Sequence, residues 1–176
     1  MFESTQQLLQ RYFDRAMRTS LPGLSIDHVG ELRERLEQLE FLHTRIKECE
    51  QVQAVNGFEN PARTMGNFFQ LKLYVEAFYM FAGRVMQFTS HDSKPLPGLK
   101  FKASGVTLVR NHLIQHPEGA NSLNFQQNFG FDPEHGMMLK NGRIPGQPKG
   151  FLDKGFTVNC AEFKAALEAA LKKAVK

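Results

Sequence analysis

The stretch YVEAFYMFAGRVMQF, Tyr74 to Phe88, decides the fold. A surface helix shows one apolar stripe; this one is apolar nearly all the way round. It therefore lies inside a helical bundle or at a protein interface. It is the later half of a helix that opens at Asn60-Pro61, a cap followed by proline in the favoured order, and continues to about Thr89. Glu76 is its sole acidic residue.

Working outward, the preceding segment reads as a second long helix, about His28 to Val55, capped by Asp27. Val29, Leu32, Leu36, Leu39, Leu42, Ile46, Cys49 and Val52 recur at steps of three and four. That is a narrow seam on a charged helix, as in a bundle. Upstream, Ser4 to Thr19 forms a first helix with an apolar face of Leu8, Leu9, Tyr12, Phe13, Ala16 and Met17. Ser4 and Gln7 make a capping-box pattern, and Leu21-Pro22-Gly23 ends the helix.

Downstream, SHDSKPLPG is a loop, and a fourth helix runs from about Ala103 to His116, where Pro117 forces the stop. Residues 118–158 change character, with 7 glycines and isolated aromatics. Within them Asn141-Gly142 sits between two extended pieces, a hairpin signal. Phe129 to Phe131 supplies another short strand, and DPEHG reads as a turn. The last helix carries Phe163, Leu167, Leu171 and Val175 on one face, with Asn159 and Glu162 as a cap pair and Glu168 supporting Lys172. The expected fold is all-α: an antiparallel up-and-down bundle of four or five helices, one domain over 1–176, with a small loop and β-hairpin insertion at 118–158 before the C-terminal helix.

Size agrees with this. A chain of 176 residues buries roughly 70% of its unfolded surface without disulfide or metal. Two cysteines, Cys49 and Cys160, fit a reducing compartment. The opening Met1-Phe2-Glu3-Ser4 leads directly into an amphipathic helix rather than a leader, and no run of 18 apolar residues spans a membrane. The expected location is the cytoplasm. The net charge of +4 is too mild to demand nucleic acid. Its distribution is more telling: residues 59–117 hold 7 basic and 3 acidic side chains. That surplus suits an anionic ligand, and equally a solvated face.

The surplus surrounds TLVRNHLIQHPEG, Thr107 to Gly119. On a wheel of about 100° per residue, Val106, Val109, Leu113 and Ile114 define the buried side. Arg110 projects between Val106 and Ile114, Asn111 points away, and His116 ends the helix. A guanidinium on an apolar side needs a counter-charge, an interface or a ligand. His116 lies where the helix dipole favours the protonated imidazole. The plain alternative is that Arg110 snorkels to water or pairs with Glu76 while His116 caps carbonyls. His112 and His116 share a face and suit a metal with His43 or His91, but the glutamate of a zinc-protease helix is missing and edge histidines are the simpler account. His91-Asp92 reads as a loop, and the aromatic run Phe78 to Phe88 as core.

The segment RNHLIQH resembles the signature of the HEPN superfamily: an arginine, a polar residue (Asn, Asp or His) directly after it, four to six positions in all, then a histidine. Here Arg110, Asn111 and His116 fill those places, with Asn111 to Gln115 between the arginine and the histidine. The family's fold, an up-and-down helical bundle with this motif late in the last core helix, is similar to the arrangement above. Pro117 departs from the commonest members, and residues 118–158 have no counterpart.

The resemblance implies a metal-independent endoribonuclease with no cofactor, in a toxin or defence role. RNA is its expected substrate and no DNA partner is expected. It implies a homodimer in which both motifs face one cleft, and a protein partner such as an antitoxin. His116 acts as general acid or base, Arg110 binds the scissile phosphate, and Asn111 orients the histidine or bonds the phosphate. Other members are non-catalytic, nucleotide-binding or structural bundles.

Overall fold

A computed structural model describes residues 1–56, 61–90, 96–115, 129–139 and 154–176. Among these, five helices surround one core: α1 Glu3–Arg18, α2 Ile26–Asn56, α3 Pro61–Ser90, α4 Ser104–Gln115 and α5 Phe156–Ala174. A two-stranded antiparallel hairpin, β1 Phe129–Asp132 with β2 Gly136–Leu139, precedes α5. The expected all-α bundle with a small hairpin insertion is the observed architecture. None of the described helices is long and apolar enough to cross a membrane.

The long pair α2 and α3, at 31 and 30 residues, forms the spine. The predicted α2 seam is buried from Val29 to Cys49. Across it α3 returns antiparallel, with Asn67 donating to the Cys49 carbonyl at 2.8 Å and Arg35 lying over the Phe81 ring. α1 and α5 pack on one another, and α4 packs on α3 and α5. Their meeting point is a knot of rings: Phe2, Phe78, Phe156 and Phe163 are fully buried. Phe78 meets Phe156 edge-on at 4.9 Å between centroids, a favoured aromatic geometry.

The starts of α1, α2 and α5 depart from the sequence reading, and at α1 and α5 the cause is tertiary. Phe2 is drawn into the ring cluster, so α1 begins at Glu3. The expected Ser4–Gln7 capping box does not form. The Met1 ammonium and the Phe2 amide both bond the Glu40 carboxylate instead, and Ser4 and Thr5 donate to Glu168 on α5 at 2.6 and 2.9 Å. α2 begins at Ile26, with Ser25 Oγ accepting from His28 N at 3.3 Å, so Asp27 lies inside its first turn rather than capping it. Met17, expected on the inner face of α1, is exposed.

Asn159 is likewise not a cap. It lies inside α5, buried, donating to the Tyr79 hydroxyl at 3.0 Å. α5 starts a turn earlier because the hairpin caps it: Thr157 N donates to the His135 carbonyl at 3.1 Å. Gly155 makes this approach feasible. Its φ of 98° is left-handed, and a methyl group there would overlap His135. The hairpin turn is DPEHG, held by Asp132 Oδ1, which accepts from Glu134 N and His135 N at 2.8 and 3.0 Å. β2 is thus the partner of β1. The predicted turn at Asn141-Gly142 lies outside the described residues.

Candidate functional site

α4 is short; its inner residues Val106 and Val109 are buried, as is Ala103 just before it. It runs antiparallel to the later half of α3, since Thr107 Oγ1 meets Met86 Sδ at 3.8 Å and Arg110, one turn on, meets Gly83. The absence of a side chain at Gly83 lets the arginine lie against the α3 backbone. A methyl group built on Gly83 would overlap Cδ of Arg110 and stand 2.7 Å from Nε and 3.0 Å from Cγ. Arg110 is half-buried in this position, as the wheel suggested.

Its polar end is sparsely partnered. Nη1 faces Asn111 Oδ1 at 3.4 Å, near the limit for a hydrogen bond. Asn111, expected to point away, is itself half-buried. Among the described residues no carboxylate stands within 4.0 Å of Arg110. The anticipated partner, Glu76, pairs instead with Lys72 one turn earlier on α3, at 3.6 Å. Burial pushes the Glu76 carboxyl above its usual value, against the pull of Lys72. Among the described residues, the one hydrogen-bond partner of the guanidinium is therefore Asn111.

The structure brings Arg110 and Asn111 together. His116, Pro117, His91 and Asp92 lie outside the described residues, as does the side chain of His112. Among the described residues no three His, Cys, Asp or Glu side chains cluster as a metal site would require. His43 packs against Phe156 with ring centroids 6.4 Å apart, and burial first, then Lys47, lowers its basicity. Burial pushes the Cys160 thiol up to about 12 and raises Cys49 as well, so neither is a ready nucleophile near neutral pH. Among the described residues, two shallow clefts lie elsewhere. One is edged by Tyr12, Arg15 and Pro97, the other by Phe13, Ile26, Val29 and Arg33; neither reaches Arg110.

The same flank of α3 carries large exposed apolar side chains. Met65, Phe69, Leu73 and Met80 keep 59, 50, 61 and 41% of their surface in water. At about 100° per residue they fall within a quarter-turn of Gly83. The sequence signalled an interior or interface helix; the structure divides the two, burying Phe78 and Tyr79 and leaving this row open.

Comparison of the chain with protein-family models, curated proteins and solved structures returned no match. The site rests on its own residues. Gly83 is the member that sequence inspection missed. Its signal was a glycine deep in a helix of bulky neighbours, where glycine is otherwise unfavourable.

Proposed function

We propose that the protein is a metal-independent endoribonuclease of HEPN type, working as a cytoplasmic homodimer in a toxin or defence role. One observation carries this reading: Arg110 is held half-buried on the α3–α4 flank with no carboxylate partner among the described residues. Such a cation is suited to phosphate, which a guanidinium binds through paired donors.

The chemistry follows from RNA itself. The 2′-oxygen bonds to the adjacent phosphorus as the bond from phosphorus to the 5′-oxygen breaks. A proton leaves the 2′-hydroxyl and another reaches the 5′-oxygen, so the products are a 2′,3′-cyclic phosphate and a 5′-hydroxyl. His116 serves one or both proton transfers. Arg110 offsets the charge that grows on the phosphate, and Asn111 steadies the guanidinium. On an ideal helical wheel two positions six apart, such as 110 and 116, fall about 120° apart, which favours a site shared by two copies. The row Met65, Phe69 and Leu73 supplies apolar surface for the second copy.

The test is cleavage of single-stranded RNA by the purified protein with chelator present. The expected result is fragments ending in 2′,3′-cyclic phosphate, lost in His116→Ala. Undiminished cleavage by that variant removes the role assigned to His116.

The exposed row also supports a second reading, a non-catalytic module that binds a protein partner. In that case the wild-type protein leaves RNA intact, and Leu73→Asp abolishes partner binding.

A further inference from the structure

We infer that Gly83 on α3 is a positioning residue for Arg110, fixing where its guanidinium points. For its effect on cleavage the inference rests on the ribonuclease reading; for the arginine's placement it stands on geometry. The three atoms nearest to a methyl group built on Gly83 are Cδ, Nε and Cγ of Arg110. The glycine therefore forms a notch in the surface of α3, and the arginine stem fills it. The notch restrains the stem, while the tip has only a long contact from Nη1 to Asn111 Oδ1, at 3.4 Å. A side chain whose stem is seated meets a phosphate in fewer orientations, so less conformational freedom is lost on binding.

Glycine is a poor residue for a helix interior, and α3 continues through Gly83 without a break. Its φ is not left-handed, since Gly83 is absent from the positive-φ glycines. Backbone conformation therefore does not account for it; the closeness of Arg110 does. Gly66 on the same helix is the natural control, because nothing lies within 4 Å of a methyl group placed there.

The experiment compares Gly83→Ala with Gly66→Ala. Both substitutions favour the helix, and the atoms met at Gly83 belong to a flexible side chain, so both variants fold. In Gly83→Ala the Nε–Hε NMR resonance of Arg110 shifts and its modification by phenylglyoxal changes rate; in Gly66→Ala neither moves. RNA cleavage by Gly83→Ala falls about 10- to 100-fold, as a misplacement near 1 Å costs, mainly in kcat. Adding Gly83→Ala to Arg110→Ala lowers cleavage no further, since both act through one group.

A Gly83→Ala variant whose arginine resonance and modification match those of Gly66→Ala overturns the inference. So do cleavage losses of Gly83→Ala and Arg110→Ala that multiply. Should the wild type leave RNA intact while the Arg110 resonance still shifts in Gly83→Ala, the ribonuclease reading fails and the positioning role stands.

Discussion

One helix builds two unlike regions. On one side of α3, Phe78 and Tyr79 enter a cluster of rings with Phe2, Phe156 and Phe163, dry and packed mostly edge to face. On another, the same helix presents Glu76 and the exposed row Met65, Phe69 and Leu73, and further along, at Gly83, it receives the half-buried Arg110. The first region has the features of stability: large side chains, complete burial, no charge to neutralise. The second tolerates what a core rejects, a guanidinium with no carboxylate partner among the described residues and apolar side chains left wet. What stabilises the bundle and what is suited to chemistry are thus separated around the circumference of α3 rather than along the chain.

If that separation is real, substitutions on the two sides affect different observables. The largest stability loss belongs to the ring cluster. Phe78→Ala removes a fully buried ring and leaves a cavity, and chemical denaturation should show a loss of about 3–5 kcal/mol. A loss under 1 kcal/mol would mean the cluster is loosely packed.

Next in size are the exposed apolar residues. Phe69→Asp and Leu73→Asp should leave monomer stability within about 1 kcal/mol of wild type. Sedimentation should then show a shift from dimer to monomer, with cleavage falling alongside. A dimer that survives both changes would place the second copy elsewhere.

A smaller effect, and a sharper one, concerns Glu76. Its recorded partner is Lys72, and a partly exposed pair of that kind is worth about 0–1 kcal/mol. Glu76→Gln also removes the penalty of burying a charge, because the carboxyl is raised in the folded state. Stability conferred by the acid form grows as pH falls, so the substitution helps most at neutral pH. The expected net change is within about 1 kcal/mol. A loss of about 3–5 kcal/mol would be the mark of a broken buried pair, and would point to Arg110 as the hidden partner.

The smallest effect lies at the α1–α5 contact. Burial pushes Glu168 up, but hydrogen bonds from Ser4 and Thr5, with Lys164 and Lys172 nearby, hold it below the usual carboxylate value. A depressed carboxyl contributes stability that is complete above its unfolded value, about 4.3, and is lost as pH falls through the folded value. Thermal melts should therefore show an acid destabilisation that is shallower in Glu168→Gln.

What was legible in the sequence follows the same division. The α2 seam could be read because Leu32, Leu36, Leu39 and Ile46 repeat with the helix and nothing else explains them. The position of Arg110 on the inner side of α4 followed from the same periodicity. The start of α3 could be read from Asn60-Pro61, but those of α1 and α5 could not, because their partners come from far along the chain: Glu40 for Phe2, Glu168 for Ser4 and the His135 carbonyl for Thr157. The β2 partner was obscured by two competing turn signals, DPEHG and Asn141-Gly142, which local propensity does not rank. Gly83 was invisible as a site residue for a further reason. Its meaning depends on the register between α3 and α4, which no single-helix pattern contains.

The most direct measurement sets Arg110→Ala beside wild type, following RNA cleavage in chelator and stability by denaturant. The account predicts that stability stays within about 1 kcal/mol, because Arg110 forms no ion pair with a described residue, while cleavage falls about 100-fold or more. Retained cleavage together with a stability loss of about 3–5 kcal/mol, the cost of stranding a buried carboxylate, would contradict it.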